Sequence, residues 1–203
     1  MMLDETCCMI TERLRLTENI KINDIPDMDL YMEQLLTFLN SRLAPCKREP
    51  KDKVLTKTMI NNYTKDQLLP PPKNKKYDKD HIMLLILVYQ LKNVLSIRDI
   101  KQLFGPILKD MSIPDDDVIP LADIYSTFLA IKKEQFAEFG DHFAEKHAFI
   151  RTKTASVAGD GNRNMADLFL TVLMLVAQAN VSKRLAENII DAYFADPAEE
   201  GEG

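Results

Sequence analysis

Residues 55–70 read LTKTMINNYTKDQLLP, and this stretch is the most informative part of the chain for its fold and function. Thr56 is a favourable N-cap residue, and Ile60 and Tyr63 lie three residues apart on one helical face. Lysines and carboxamides occupy the other face, and three prolines beginning at Pro70 stop any continuation. The stretch predicts a short capped helix over 56–65 with one apolar side and one polar side.

Helix signals continue on both sides of this stretch. Upstream, Pro26 and an acidic first turn predict a helix through Leu30 and Leu35 that ends near Pro45. Downstream, Asp78 or Asp80 can cap a helix whose apolar run, 82–89, must be buried on most sides. A further helix towards Leu108 is predicted by a capping box at Ser96–Asp99, and Asn74 to Tyr77 suits a small wing.

The C-terminal half also shows helical periodicity. Pro120 suits the start of an amphipathic helix of about 25 residues, whose aromatic stripe contains Phe136, Phe139 and Phe143. Residues 168–177 are apolar around nearly the whole helix, which predicts a position at the centre of a bundle. Ser182 is expected to cap a separate last helix. Pro114–Asp117 and the polar segment 156–164 are predicted loops, and residues 196–203 a disordered tail.

Composition supports a folded helical protein. The 203 residues are 46% hydrophobic and 28% charged, with 6 Gly and no Trp, which excludes collagen-like and disordered classes. The longest apolar run, 82–89, is shorter than a membrane span, and the N-terminus lacks signal-peptide features, so a cytoplasmic protein without membrane contact is expected. Three cysteines, two of them adjacent, predict neither disulfides nor a metal site.

Charge is unevenly distributed along the chain. Residues 47–79 carry 10 basic and 4 acidic side chains, whereas residues 110–203 carry 8 and 17. A basic stretch within an acidic protein can face a polyanion, because local potential governs attraction to phosphates. The other interpretation is a set of solvated loop lysines. Charge by itself favours neither.

The stretch that contains Thr56, Ile60, Tyr63 and Leu68-Leu69 resembles the recognition-helix signature of the MerR family of bacterial transcription regulators. The similarity continues through Tyr77–Ile82 and Leu91–Leu103, so that about 50 residues are covered in the family's order. The resemblance implies a winged helix-turn-helix head that binds DNA. This sequence departs from the pattern at the family's backbone-holding Arg and first Tyr, which are Asn61 and Asn62, and at a Gly, which is Gln67.

The whole chain also resembles a family of uncharacterised bacterial proteins, a domain of unknown function. Its members carry a similar T-K-x-M-I-N-N-Y core and a helical C-terminal half. This second resemblance implies a MerR-like head and brings no established activity.

Nucleic-acid recognition has a chemical basis in these residues. Asn side chains can bond to an adenine edge in the major groove, and lysines can displace counterions from phosphates. Alternatively, Asn61 and Asn62 only loosen the end of a short helix. Tyr63 is assigned to packing. The predicted DNA-binding residues are Lys57, Thr58, Asn61, Asn62, Lys65, Lys73, Lys75, Lys76 and Lys79.

Signals for catalysis or metal binding are weak. His142 and His147 have no accompanying cysteine or carboxylate pattern, so neither a zinc site nor any other metal site is predicted. Gly159–Arg163 lacks the Lys-Ser/Thr ending of a phosphate loop, and no catalytic triad is visible. We therefore expect neither an enzyme nor a cofactor.

These patterns together predict an all-α protein with a MerR-like winged helix-turn-helix head over 25–110, a helical bundle over 111–195 and a tail. The expected function is transcription regulation, in which helix 56–65 reads double-stranded DNA and the C-terminal helices form a homodimer. The alternative is a non-enzymatic module that keeps the fold but binds a protein or senses a small ligand.

Overall fold

The computed structural model of the protein describes residues 19–47, 49, 51–110, 120–156 and 163–195, and these residues are mainly helical. The mainly-α prediction is therefore confirmed. The elements, in chain order, are β1 (Leu30–Tyr31), α1 (Met32–Leu43), α2 (Lys57–Lys65), β2 (Lys76–Tyr77), α3 (Lys79–Leu91), α4 (Ile97–Asp110), α5 (Leu121–Ala155) and α6 (Arg163–Tyr193). Short 3-10 turns occur at Ile22–Asp24 and Ala44–Cys46.

Helix α3 is the centre of the N-terminal part of the fold. The eight residues of the apolar run, 82–89, are buried as predicted, and His81 directly before them is buried as well. Of the two predicted N-cap residues, Asp78 and Asp80, the structure has Asp78 in this role. Its carboxylate accepts a hydrogen bond from the His81 backbone N–H at 3.1 Å. A helix that is apolar on every side is stable only when other elements surround it.

The predicted start of α1 is wrong by several residues. The helix begins at Met32 rather than near Pro26, because Leu30 and Tyr31 form a strand that pairs antiparallel with β2. Leu30 lies opposite Tyr77, and both side chains are buried. Backbone pairing therefore takes precedence over helical periodicity here. The remainder of α1 buries Leu35, Leu39 and Leu43 as expected.

The capping box before α4 is confirmed. The Ser96 backbone N–H donates to the Asp99 carboxylate at 2.9 Å, and the Asp99 N–H donates to the Ser96 hydroxyl at 3.1 Å. Each side chain thus satisfies a backbone donor that the first helical turn leaves unpaired. The helix continues through Pro106 to Asp110.

The two C-terminal helices are longer than predicted. Helix α5 has 35 residues, and α6 has 31 residues without interruption at Ser182, so the prediction of a separate last helix is wrong. The stretch from 163 to 193 contains neither Gly nor Pro, so nothing in it ends a helix. The predicted loop at Pro114–Asp117, most of the polar segment 156–164 and the tail 196–203 lie outside the described residues.

The described chain divides into two compact units. One contains residues 19–130 together with 187–195, and the other contains residues 131–186. Within the first unit, the Tyr125 hydroxyl of α5 donates a hydrogen bond of 2.6 Å to the Ile20 carbonyl oxygen. Burial, followed by the charge of Asp24, raises the pKa of Tyr125 well above its ordinary value. The domain boundary between 110 and 111 stays a prediction.

The central stretch of α6 is not buried as predicted. Leu168, Phe169, Val172, Leu173 and Val176 are between 45% and 63% exposed. By length and composition α6 is also able to cross a membrane, and only 11% of its most apolar window is buried. The length of unbroken apolar runs does not reveal this stretch, because Asp167, Thr171 and Gln178 divide it into short pieces. The aromatic stripe of α5 behaves differently, since Phe143 is buried and stacks on His147.

Candidate nucleic-acid interface

Helix α2 is a capped helix with one buried side. The Thr56 hydroxyl accepts a hydrogen bond from the Met59 N–H at 3.2 Å, which fixes the first turn as predicted. Ile60 and Tyr63 are buried, and burial raises the pKa of the Tyr63 hydroxyl. Tyr63 therefore packs, as expected from its position beside Ile60.

The opposite side of α2 is exposed to solvent. At 3.6 residues per turn, the five predicted contact residues of this helix fall within about 140° of its circumference. All five are exposed, which places two cations, one hydroxyl and two carboxamides on one surface: Lys57, Thr58, Asn61, Asn62 and Lys65. We call these five residues the α2 face.

The chain leaves α2 through a tight turn. The N–H groups of Leu68 and Leu69 both donate to the Tyr63 carbonyl oxygen, at 2.8 and 3.1 Å, and both leucine side chains are buried. Gln67 has a φ of 60°, in the left-handed region that favours glycine. The backbone conformation expected of a glycine is therefore present although the residue is Gln.

Neighbouring helices fix the approach to α2. The Asn40 amide of α1 donates to the Leu55 carbonyl oxygen at 3.3 Å, and the Lys92 ammonium donates to the Val54 carbonyl oxygen at 2.8 Å. Burial lowers the pKa of Lys92. Val54 and Leu55 are themselves buried. The segment before α2 is thus held by hydrogen bonds and by packing, so the orientation of the α2 face is fixed by the core.

A two-residue turn leads into β2. Lys73 pairs with Lys76, and the intervening Asn74 and Lys75 have φ values of 53° and 63°. Two successive positive φ angles are typical of a type I′ hairpin turn, in which Asn is favoured. Lys73, Asn74 and Lys75 are exposed. Residues 73–77, which we call the wing after the expectation for Asn74 to Tyr77, thus form a hairpin turn with a basic tip and a short strand.

The two remaining predicted lysines have partners within the chain. Lys76 is half-buried, and its ammonium lies 5.2 Å from the centre of the Tyr31 ring. Lys79 forms an ion pair of 2.9 Å with Asp27. Seven of the nine predicted residues are thus exposed, whereas Lys76 and Lys79 are half-buried and have partners within the chain.

A buried histidine connects the prolines, the wing and α3. The His81 Nδ1 lies 2.6 Å from the Asp78 carboxylate, and its Nε2 lies 3.2 Å from the Pro70 carbonyl oxygen. The Tyr77 ring contacts the same imidazole edge-on. Burial alone would raise the pKa of Asp78, but hydrogen bonds from His81 and its charge hold the pKa below its ordinary value.

Reasoning from the sequence missed the position of His81. The available signal was an acidic N-cap three residues before it, which identifies the helix start but not the distant Pro70 carbonyl. Acidic groups also lie near the basic residues, since Asp66, Asp78 and Asp80 accompany six lysines between residues 57 and 80. Among the described residues, no group of three or more His, Cys, Asp or Glu side chains is arranged to hold a metal.

Comparison with known families gives one match. The family described as Domain of unknown function (DUF1836) matches residues 20–128, a range that contains α1 to α4 and the start of α5. Neither the curated proteins nor the solved structures contain a match to the chain. The matched range includes every residue of the α2 face and of the wing.

Proposed function

The chain belongs to the DUF1836 family of domains of unknown function, and from that premise we propose that it is a DNA-binding transcription regulator. Its head would be a winged helix-turn-helix of the MerR type, with α2 as the recognition helix. The α2 face is the observation that carries this proposal. A short rigid helix that exposes two carboxamides between two lysines has the chemistry to read base edges beside phosphates.

The wing adds a second basic element. Lys73 and Lys75 are exposed at a turn whose backbone hydrogen bond, Lys76 N–H to Lys73 carbonyl oxygen, measures 2.9 Å. A rigid turn with two ammonium groups suits contact with the phosphate backbone, which contributes affinity without sequence information. Lys76 and Lys79 would contribute less, because Tyr31 and Asp27 already engage them.

The turn after α2 supports the MerR-like geometry. In the regulator pattern a Gly precedes the paired leucines, and here Gln67 has the left-handed backbone that a Gly adopts without strain. Leu68 and Leu69 are buried in the place of the paired leucines. The loss of the pattern's Arg and first Tyr changes the expected contacts of the helix more than its backbone.

In the proposed mechanism, α2 enters the major groove and the wing rests on the adjacent backbone. Pairing of two chains through the C-terminal helices would match two heads to two half-sites. A protein with this function acts on cellular DNA, so the proposal includes a cytoplasmic location. The proposed mechanism uses neither a cofactor nor an enzymatic step. Asn61 and Asn62 would provide sequence preference, and the lysines affinity.

A second candidate is a protein-interaction module that keeps the same fold without DNA binding. The observation that favours it is the exposed apolar surface of α6, which suits a protein partner better than a phosphate backbone. Salt separates the two candidates, because counterion release makes DNA affinity fall steeply with ionic strength while apolar association does not.

Selection of bound fragments from genomic DNA by the purified full-length protein would test the DNA-binding proposal. Affinity for a selected duplex, measured by fluorescence anisotropy at several salt concentrations, should fall as salt rises. Lys65→Glu should weaken binding to all sequences and reduce the salt slope by about 1, whereas Asn61→Ala should lower the preference for the selected sequence by roughly 1–3 kcal/mol.

Lys133→Glu is the matched control for the lysine variant. Lys133 is an exposed lysine of α5, outside the range that the family matches, so its reversal should leave DNA affinity nearly unchanged. The proposal fails if no duplex is enriched, or if Lys65→Glu and Lys133→Glu have equal effects.

A further inference from the structure

Helix α6 carries a row of exposed apolar residues at coiled-coil spacing. Its members follow one another at intervals of 4, 3, 4 and 3 residues: Met165, Phe169, Val172, Val176 and Ala179. We call this row the α6 seam. The four larger side chains are between 51% and 70% exposed, and Ala179 is exposed as well. Apolar residues at this spacing form a straight stripe along a helix, as in the core positions of a coiled coil.

The seam lies on the side of α6 that faces away from α5. Asp167 and Thr171 are buried, and the Asp167 carboxylate accepts a hydrogen bond from the Thr154 hydroxyl of α5. At 100° per residue, Val172 and Val176 lie roughly 140° and 180° around the helix from Asp167. The side of α6 that packs on α5 therefore carries Asp167 and Thr171 with the half-buried Met174 beside them, and the seam lies on the other side, exposed among the described residues.

A groove beside the seam extends the apolar surface towards α5. It has a volume of about 720 Å³ and is lined largely by apolar residues, including Phe149 and Ile150 of α5 and Leu170, Leu173 and Met174 of α6. Leu173 is next to Phe169 on the helix surface, so the groove and the seam form a continuous surface. This surface is wide enough to pack along the length of another helix.

We propose that a second copy of this chain covers the seam, so that two α5–α6 hairpins form a four-helix bundle with the α6 helices at its centre. Heptad spacing supports this occupant, because identical rows can pack by inserting side chains into each other's gaps. Charge supports it too. Asp167 is the only ionisable residue between 164 and 182, and it faces α5, so two identical α6 seams meet without like-charge repulsion, while the charged groove residues Glu145, Lys146 and Lys153 belong to α5.

Two other occupants fit less well. A small apolar ligand could occupy the groove, but it would leave Met165, Val172 and Val176 uncovered on the adjoining side. A bilayer would cover the seam, but it would also surround α5, whose Lys146, Arg151 and Lys153 are exposed on the same hairpin. Charged side chains are costly in hydrocarbon, so the hairpin fits a second copy of the chain better than a bilayer.

This inference does not depend on DNA binding, and it assigns the homodimer expected from the C-terminal helices to one surface. The aromatic stripe of α5 is not that surface, because Phe143 is buried within its own chain. A side chain that is buried within its own chain is not available to pack against a second copy. The exposed apolar row is on α6 instead.

The test is the mass of the full-length protein in solution, measured by light scattering and by sedimentation over a range of concentrations. The wild type should have twice the 23.2 kDa mass of one chain. Phe169→Glu and Val176→Glu should each raise the dimer dissociation constant by about 30-fold or more, because a charge would be placed in an apolar interface. Their helical circular dichroism should remain that of a folded protein, since both positions are exposed.

Val94→Glu is a matched control, because Val94 is 49% exposed and Val176 is 51% exposed. It makes the same chemical change outside α6 and should leave the dimer intact. A wild type that is monomeric at every concentration would overturn the proposal. So would flotation of the wild type with phosphatidylcholine–phosphatidylglycerol vesicles that Val176→Glu abolishes, or a dimer that both α6 variants leave unchanged.

Discussion

Helices α3 and α6 are both strongly apolar, yet among the residues that the structure describes α3 is buried and α6 is largely exposed. Leu84 and Leu85 of α3 are fully buried, whereas Leu168 and Leu173 of α6 are about half exposed. Elements on several sides surround α3, including the β2 strand that directly precedes it. Within the part of the chain that the structure describes, α6 packs against α5 and keeps most of its apolar stretch 168–176 exposed. An apolar sequence thus indicates that a helix will pack against other elements. The tertiary structure shows whether those elements belong to the described part of the same chain.

The largest effect should come from truncating each helix at a leucine. Leu85→Ala should destabilise the protein by about 2–5 kcal/mol, because it leaves a cavity in a close-packed core. Leu173→Ala should cost much less under dilute conditions, since half of its side chain is already in water. Urea unfolding at low micromolar concentration measures both. Equal losses would contradict the contrast between the two helices.

A smaller loss of stability should come from replacing Asp78, the N-cap residue of α3 that contacts the buried His81. Asp78→Asn removes the carboxylate charge beside His81 while keeping a capping side chain, and should lower the stability by roughly 1–3 kcal/mol near pH 7. The folded-state pKa of Asp78 is lowered, so its stabilising contribution is present above about pH 4 and is lost as the pH falls through the folded value. The gap between wild type and variant should therefore close under acid conditions.

Urea unfolding at pH 6 and at pH 3 measures that gap. Asp27→Asn is a suitable control, because Asp27 also forms an ion pair with a basic side chain but is largely exposed, and such surface pairs contribute little. A gap between wild type and Asp78→Asn that is the same at both pH values would show that the Asp78–His81 pair does not carry the effect.

The smallest effect should be a gain in stability at the turn after α2. Gln67→Gly should stabilise the protein by about 0.5–1 kcal/mol, because a φ of 60° strains a side-chain-bearing residue but not glycine. Gln102→Gly in α4 should instead destabilise by about 1 kcal/mol, since glycine weakens a helix interior. Thermal unfolding of the two variants compares the signs. A loss in both would mean that the strain at Gln67 is offset by contacts of its side chain.

Much of the N-terminal half could be predicted because its signals are local. The Thr56 cap, the Ser96–Asp99 box and the apolar run of α3 each involve residues within one or a few helical turns. The start of α1 could not be found in this way, because Leu30 pairs with Tyr77, which is 47 positions further along the chain. A strand pairing is a long-range contact, and two residues give no periodicity from which to detect it.

The candidate site shows the same division. Helical spacing assigned the α2 face to one side of the helix, and all five residues are exposed. It did not reveal that Lys76 lies over Tyr31, that Lys79 pairs with Asp27, or that His81 reaches the Pro70 carbonyl oxygen. These partners lie 11 to 52 residues away in the chain, and only the folded backbone brings them together.

The sequence by itself determined which segments are helical and which residues of α2 share a face, because caps and periodicity act over a few neighbouring residues. Only the tertiary structure decided which apolar surface the chain covers. Burial depends on the number of elements that pack around a helix. The hydrophobicity of the helix itself does not indicate how many such elements the chain provides. Among the described residues, that number is sufficient to bury α3, whereas the apolar stretch of α6 is largely exposed.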